Sequence, residues 1–287
     1  MNPPPQTRNT AAASKWSDLK VTVFSCDFYC DMWPLFFHFL FKHWPEVPTP
    51  IYLITNHLSY DDPRVVSVKV GDDKSWTYGA ERALQQIPSE YICFFLDDFM
   101  LTKPMDAARL EQAFSMLKQH NGDWLCFSPV APPPECDPHA IISPIVDPKQ
   151  SGGFHAGIWR RTYLEKLCAN KHLNIWHSEG LIRRKIRSGE MAGMFYLTKN
   201  SPWLASYIEV VKRFWQKDGI DYMRSNNIRP DLWRRPYPPQ GDNVFARFIR
   251  SVLKRYVRFM STLETKRLLK NNNGLVSSTV RFIKQEN

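Results

Sequence analysis

The stretch YICFFLDDFML, residues 91–101, carries the strongest indication of the fold of this 287-residue chain. Six apolar or aromatic residues are followed directly by two adjacent carboxylates, Asp97 and Asp98. A continuous apolar run of this length is typical of a strand inside a parallel sheet. Carboxylates at the exit of a buried strand lose hydration free energy unless positive charge lies beside them. The stretch therefore predicts a buried strand that ends in a cation site. The alternative is a strand that ends one residue earlier, with both side chains in water.

Two apolar stretches upstream also end in polar residues. LKVTVFSCD, residues 19–27, ends in Ser25, Cys26 and Asp27, and PIYLITN, residues 50–56, ends in Thr55 and Asn56. Segments with helical spacing alternate with these strands: DMWPLFFHFLFKHW (31–44), SWTYGAERALQQI (75–87) and MDAARLEQAFSMLKQH (105–120). This alternation predicts an α/β fold with a mostly parallel sheet flanked by helices. Ligands of such sheets bind beyond the carboxyl ends of the strands, where these polar residues would meet.

The charge of the chain is concentrated near its C-terminus. The net charge is +10, and from Arg247 to the end ten Lys or Arg face two Glu. The preceding part is therefore nearly neutral, which disfavours a nucleic-acid partner for the main domain. No apolar run approaches the ~20 residues of a membrane-spanning helix, and the first residues lack the apolar core of a secretory signal. We expect a cytoplasmic protein with a loose tail over residues 1–18.

The acidic stretch FFLDDFML resembles the metal-binding motif of glycosyltransferases with the GT-A (Rossmann-like) fold. The chain is similar above all to bacterial enzymes that assemble capsule and lipopolysaccharide. Further stretches resemble that group in the same order: VTVFSCDFYCDMWPLFFHFLFKHWP (21–45), PIYLITN, SWTYGAERAL (75–84), GGFHAGIWRRTYLEKL (152–167), IWHSEGLIRR (175–184) and YIEVVKRFWQKDGIDYMRSNNI (207–228), the last as a helical hairpin. The common motif is Asp, any residue, Asp, whereas Phe99 stands third here, which leaves open which aspartate binds the metal.

The resemblance implies a role for each matching residue on the donor side. Expected nucleotide-sugar contacts are Ser25, Asp27, Asn56, Trp76, Arg82 and Asp97, and expected ligands of Mn²⁺ or Mg²⁺ are Asp97 and Asp98. Arg82 suits an anionic ligand because its guanidinium donates two parallel hydrogen bonds. Simpler structural roles remain open: Trp76 could pack against the sheet edge, and Arg82 could pair with Glu81 or Asp72 on the surface.

On the acceptor side, the resemblance makes Glu179 the expected catalytic base. An inverting sugar transfer needs a carboxylate within hydrogen-bond reach of the acceptor hydroxyl. Trp176, three residues earlier, shares its helical face and could stack on a sugar ring, and His155 follows two glycines that allow close approach to a ligand. The alternative for Glu179 is an ordinary surface pair with Arg183, four residues along the helix.

The segment DNVFARFIRSVLKRYVRFM, residues 242–260, has the pattern of a basic amphipathic helix. Its apolar residues are Phe245, Phe248, Ile249, Val252, Leu253, Tyr256, Val257 and Met260. Such a helix suits peripheral contact with an anionic membrane, here at the inner face of the cytoplasmic membrane. Packing of the apolar face on the main domain is the equal alternative. We therefore divide the chain into residues 1–18, a catalytic domain over 19–243 and a basic helical extension over 244–287.

Together these features predict a metal-assisted glycosyltransferase, with inversion favoured. Its donor would be a nucleoside-diphosphate sugar, and its acceptor a saccharide or a lipid-linked one in cell-surface polysaccharide assembly. One alternative is a nucleotidyltransferase that makes a nucleotide-sugar, but residues 25–33 lack the glycines and basic residues that would cradle a triphosphate. Another is a non-catalytic basic adaptor that binds membrane or nucleic acid.

Overall fold

The computed structural model describes residues 16–130, 140–145, 153–169, 172–191, 193–198, 205–208, 210–211 and 213–279. Most of the N-terminal tail and the last eight residues of the C-terminal extension thus lie outside the described ranges. The helices are α1 (Trp33–His43), α2 (Trp76–Leu84), α3 (Ala107–Gln119), α4 (Arg161–Cys168), α5 (Ile175–Arg187), α6 (Lys217–Ser225) and α7 (Val244–Asn271). In the described ranges, no helix combines the length and hydropathy that crossing a bilayer requires.

An eight-stranded, mostly parallel sheet forms the centre of the molecule. Its strands are β1 (Leu19–Phe24), β2 (Ile51–Thr55), β4 (Val65–Lys69), β5 (Tyr91–Leu96), β7 (Trp124–Val130), β8 (Ile142–Pro144), β9 (Gly157–Arg160) and β10 (Met194–Thr198). Their order is β4-β2-β1-β5-β9-β7-β10-β8. The first four are parallel, whereas β9 runs antiparallel to both β5 and β7. The α/β fold expected from the sequence is confirmed.

Both faces of the sheet are covered, which explains the uninterrupted apolar sequence of β5. Tyr91, Cys93 and Phe95 point into the core beneath α1 and α3, while Ile92 and Phe94 point into a second core beneath α2, α4 and α5. Side chains alternate between the faces of a strand, so a strand buried on both sides needs apolar residues at every position. Ser75 caps the start of α2, as its sequence predicts, because its hydroxyl accepts a hydrogen bond from the Tyr78 N–H.

The late segment 207–228 differs from the helical hairpin expected of it. It holds β11 (Tyr207–Ile208), the antiparallel pair β12 (Val210–Val211) and β13 (Phe214–Trp215), and then the single helix α6. Arg213, at φ 79°, lies in the left-handed region at the turn between the two strands. The hairpin prediction was wrong because Val-Val and Phe-Trp pairs favour extended backbone, and Val210 and Trp215 bury into a third core.

The C-terminal extension returns to the main domain. Helix α7 begins at Val244, with Asn243 as its cap, and contacts the short 3₁₀ turn Asp27–Tyr29. After it, β14 (Leu275–Ser277) pairs in parallel with β3 (Ser59–Asp61). The remaining short strand, β6 (Met100–Leu101), follows the acidic pair and pairs with β11.

Candidate functional site

The polar residues after β1 and β2 are bound to one another. The Asp27 carboxylate accepts hydrogen bonds from the backbone N–H groups of Asn56 at 2.9 Å and His57 at 3.0 Å, and that of Leu58 lies 3.2 Å away. In return, the Asn56 amide oxygen accepts from the Asp27 N–H, and its nitrogen donates to the carbonyl of Gly71 after β4. Asp27 and Asn56 thus hold together the carboxyl ends of β1 and β2, which lie at the same edge of the central sheet as the carboxyl end of β5. Direct contact of either residue with a nucleotide stays a prediction.

Asp97 is buried at this edge and lies against the end of β1. Along the chain it follows Tyr91, Cys93 and Phe95, the alternate residues of β5 whose side chains pack in the core under α1. The hydroxyl of Ser25 donates a hydrogen bond to Asp97 Oδ2. Ser25 in turn accepts from the indole Nε1 of Trp33, at 2.7 Å. The strand end and the first residue of α1 therefore hold the carboxylate in one orientation. Burial raises the pKa of Asp97 well above its usual value, and the adjacent charge of Asp98 adds to the rise.

Asp98 is half-buried and lies beside its neighbour on the same turn. Tyr29, from the 3₁₀ turn after β1, faces the pair: burial raises the pKa of its phenol, and the charges of Asp97 and Asp98 raise it further. The edge of the sheet therefore presents two carboxylates and a phenol that stays protonated at neutral pH. This arrangement offers acceptor oxygens for a cation and one O–H donor for an anionic ligand.

The pair fits a divalent cation that arrives with a phosphate ligand. In the part of the chain that the structure describes, no group of three or more His, Cys, Asp or Glu is arranged to hold a metal. Mg²⁺ commonly keeps several waters and takes only one or two carboxylates together with substrate phosphates. Asp97 and Asp98 match that smaller donor set. A buried carboxylate with a raised pKa is also a place where added positive charge is stabilising.

Asp97→Asn should make the folded protein more stable at neutral pH. Because the folded-state pKa is raised above that of the unfolded chain, the folded state binds more protons between the two values. Its stability therefore falls as pH rises through that window, and each unit of the shift is worth about 1.4 kcal/mol. We expect Tm at pH 7 to rise by at least about 2 °C and its decline with rising pH to flatten. The exposed Asp61→Asn is the control, and an unchanged or lower Tm in Asp97→Asn would contradict the expectation.

A buried ion-pair network that sequence reasoning missed lies beside the acidic pair. Arg235 is 1% exposed, and its Nε and Nη2 bond to the two carboxylate oxygens of Asp31 at 2.6 and 2.7 Å. The guanidinium carbon lies 4.4 Å from the centre of the Tyr29 ring, and its charge opposes the rise in the pKa of Asp97. Arg234 bridges Asp31 at 3.3 Å to Glu264 of α7 at 3.5 Å. In the sequence, Asp31 stands alone near the start of a helix, and Arg234 and Arg235 follow more than 200 residues later. Neither pattern indicates that these residues are in contact.

Helix α5 and the start of β9 bring Glu179 and His155 to the same edge. β5 and β9 pair with Phe94 opposite Gly157, so the residues before Gly157 lie across from the acidic pair. The Phe154 N–H donates to Glu179 Oε1 at 3.3 Å. A Cβ on Gly153 would lie 3.0 Å from that oxygen and 3.1 Å from His155 Nε2, so both polar atoms lie close to this glycine, and a larger residue there would displace them by a few tenths of an ångström. The structure thus joins two predicted acceptor-side residues.

Burial shifts the pKa values of both Glu179 and His155. Burial raises the pKa of Glu179, although the Phe154 N–H and Arg183 oppose the rise. Burial and the charge of Arg183 lower the pKa of His155, which keeps its imidazole neutral at pH 7. The surface pair considered as an alternative also exists, because Arg183 Nη2 lies 3.6 Å from Glu179 Oε2. Oε1 and Oε2 thus have different partners, and the role of Glu179 as a base stays a prediction. Trp176, on the same helix, is 61% exposed.

Trp76 and Arg82 occupy different environments on α2. Trp76 begins the helix at the edge and packs on Phe154 and Phe24, with ring centres 4.3 and 5.9 Å away. It therefore connects the end of β1 to the loop that carries His155. Arg82 is exposed near the other end of α2 and donates to the Tyr78 hydroxyl at 3.1 Å. A role for either on the nucleotide-sugar stays a prediction.

Solved structures with a similar fold include S. aureus TarS, at 14% identity and a TM-score of 0.40, over 72% of this chain and 38% of that one. TarS 1–349 in complex with UDP-GlcNAc matches at 13% identity and 0.39, over 72% and 65% of the two chains. A cytidylyltransferase from Leptospira borgpetersenii serovar Hardjo-bovis matches at 12% identity and 0.41, over 73% and 94%. Such likenesses give no basis for carrying an activity to this chain. No protein-family model and no curated protein matches it.

Proposed function

We propose that this chain is a glycosyltransferase that moves a sugar from a nucleoside-diphosphate sugar to a saccharide or lipid-linked acceptor in cell-surface polysaccharide assembly. One observation carries the proposal. Parallel β1, β2 and β5 end, and antiparallel β9 begins, at one edge of the sheet, which sets Asp97 and Asp98 across from the loop that carries His155 and binds Glu179. An acidic cation site and a separate, partly buried base are the two parts that such a transfer needs.

On the donor side, Asp97 and Asp98 would hold Mn²⁺ or Mg²⁺, which supplies positive charge to the departing diphosphate. The chain's own residues orient that site: Ser25 fixes Asp97, and the Asp27–Asn56 bonds hold the ends of β1 and β2 together. The Tyr29 hydroxyl is a donor that a phosphate oxygen could accept from. Trp76 packs on Phe154 and on Phe24, the last residue of β1.

On the acceptor side, Glu179 would accept the proton of the attacking hydroxyl. As the new bond from that oxygen to the anomeric carbon forms, the bond to the diphosphate oxygen breaks, and its electron pair leaves with the diphosphate. A base on the face opposite the leaving group inverts the anomeric centre. The raised pKa of Glu179 brings its basicity closer to the working pH, which improves general-base efficiency. Exposed Trp176 offers a stacking surface for a sugar ring of the acceptor.

The two other functions make different predictions about the same residues. A nucleotidyltransferase would need donors for a triphosphate after β1, but residues 25–33 contain no Gly, Lys or Arg. A non-catalytic basic adaptor would keep its function in Asp97→Ala/Asp98→Ala and lose it when α7 is neutralised.

Titration calorimetry with a panel of UDP-, GDP- and dTDP-sugars, with and without Mn²⁺, tests the proposal. We expect one donor class to bind, with an affinity at least about tenfold higher in the presence of the ion, a free-energy difference of about 1.4 kcal/mol. Asp97→Ala/Asp98→Ala should lose this dependence on Mn²⁺, whereas Asp61→Ala, at an exposed aspartate of β3, should keep it. Failure of every nucleotide-sugar to bind to the wild-type protein would overturn the proposed function.

A further inference from the structure

Helix α7 packs on the main domain through a narrow face. Its buried residues are Ala246, Val257 and Ser261, and the Thr265 hydroxyl donates to the carbonyl oxygen of Asp27 at 3.3 Å. Glu264 joins the buried Arg234–Asp31 network, and Arg250 donates to the carbonyl oxygens of Pro239 and Gly241 before the helix. These contacts run from the first turn to the last third of the helix. They fix which side of α7 faces the domain.

A second, apolar stripe on α7 faces solvent. Its exposed fractions are 71% for Phe245, 64% for Phe248, 47% for Val252, 59% for Phe259 and 47% for Leu263. Steps of three, four or seven residues separate them, so they share one side of the helix over about 27 Å. The apolar face expected from the sequence is therefore divided: Val257 packs on the domain, and the stripe residues do not. Packing on the main domain is thus observed for one face of this helix, and membrane contact stays a prediction for the other.

The charge of α7 favours an anionic partner for this stripe. The helix carries eight Lys or Arg and the single Glu264, a net charge of +7. Arg255 and Lys266 border the stripe, three residues after Val252 and Leu263, and both are exposed. A second copy of the chain would bring an equal positive charge against it. An anionic lipid surface instead meets the apolar side chains with its acyl boundary and the basic ones with its headgroups.

We propose that the α7 stripe is the surface by which this protein lies on an anionic membrane. Since Thr265 bonds to the 3₁₀ turn at the site and Glu264 to its ion-pair network, a membrane-bound α7 also holds the acidic edge at a fixed distance from the lipid. Together with the proposed function, this placement favours an acceptor anchored in lipid. Docking itself depends on no assumption about the reaction.

Sedimentation of the full chain with vesicles tests the proposal without nucleotide-sugar. We expect binding to vesicles of phosphatidylglycerol and phosphatidylethanolamine, little binding to pure phosphatidylcholine, and weakening in 0.5 M salt. Phe248→Ser/Phe259→Ser should reduce the partition coefficient at least tenfold with Tm unchanged, because both rings are exposed in the folded protein. Val252→Ser should also weaken binding, whereas Val66→Ser, at the similarly exposed (43%) Val66 of β4, should not.

Two outcomes would overturn the proposal. One is the absence of binding to anionic vesicles, and the other is equal binding by the stripe variants and the wild type. If vesicle binding is absent and analytical ultracentrifugation shows a concentration-dependent dimer that Phe248→Ser/Phe259→Ser dissociates, the stripe would be assigned to a second copy of the chain. Neither outcome bears on donor binding, so the proposed function is tested separately.

Discussion

Glu179→Gln should reduce kcat by about 10²–10⁴-fold while leaving nucleotide-sugar affinity unchanged. The glutamine keeps the shape of the side chain and an oxygen that can accept from the Phe154 N–H, so the loop over Gly153 should stay in place. What it loses is the ability to take the proton of the acceptor hydroxyl. Turnover measured with saturating donor and acceptor gives kcat, and calorimetry gives the donor Kd of the same variant.

The pH profile separates a base from a structural glutamate. Because the carboxylate must be ionised to accept the proton, wild-type kcat should fall as pH drops through the raised pKa of Glu179, and this acid limb should vanish in Glu179→Gln. Arg183→Gln removes a charge that lowers this pKa, so the acid limb should move to higher pH. Exposed Glu190→Gln, just beyond α5, serves as the matched control. Glu179 would not be the base if Glu179→Gln turned over at the wild-type rate, or if the acid limb of the pH profile stayed at the same pH in Arg183→Gln.

The sequence predicted the sheet well because local pattern and tertiary environment agree there. β5 is apolar at every position since both faces of the sheet are covered, and its end at Leu96 places Asp97 where the pattern put it. The helix that starts after Ser75 was equally readable, because its cap is encoded locally. By contrast, the segment 207–228 has helix-like spacing of apolar residues. Its strand pairing depends on distant partners such as Met100, opposite Ile208, and no local pattern shows them.

The site was less predictable than the fold, and the reason is separation along the chain. The sequence predicted correctly that Asp27 and Asn56 lie at the carboxyl ends of neighbouring strands. Each side chain, however, accepts a hydrogen bond from the backbone N–H of the other residue, and the sequence of the two strand ends does not indicate this pairing. Glu179 lies against Gly153 only because β9 runs antiparallel to β5 and reverses direction at the edge. The basic helix was recognised from its composition, but which apolar residues pack and which face solvent follows from contacts with the 3₁₀ turn.

Arg235→Ala should lower the free energy of unfolding by about 3–5 kcal/mol, the usual cost of removing one partner of a buried ion pair. It would leave Asp31, whose side chain is 11% exposed, without its bidentate partner and next to the negative charge of the acidic pair. Asp31→Asn should cost a similar amount, because it leaves the guanidinium buried without its carboxylate. Urea unfolding monitored by tryptophan fluorescence provides both values.

The double variant Asp31→Asn/Arg235→Met shows whether the two residues act as a unit. If they do, its loss of stability should be well below the sum of the two single losses, with a coupling energy of about 1–3 kcal/mol. The exposed pair Lys217–Asp221 is the control, and removing it should cost no more than about 0.5 kcal/mol. Strict additivity, or a loss below about 1 kcal/mol in Arg235→Ala, would contradict a structural role for the pair.

Arg235→Ala should also change the pKa of Asp97, an effect that a purely structural ion pair would not produce. The charge of Arg235 opposes the rise in the pKa of Asp97, so its removal should raise that pKa further and keep the carboxyl protonated to higher pH. Mn²⁺ binding, which needs the ionised carboxylate, should then be lost at a higher pH in Arg235→Ala than in the wild type. Lys217→Ala should leave this pH unchanged. Arg235 would then set the pH range in which the donor site accepts its cation, from a position 204 residues beyond Asp31 in the chain.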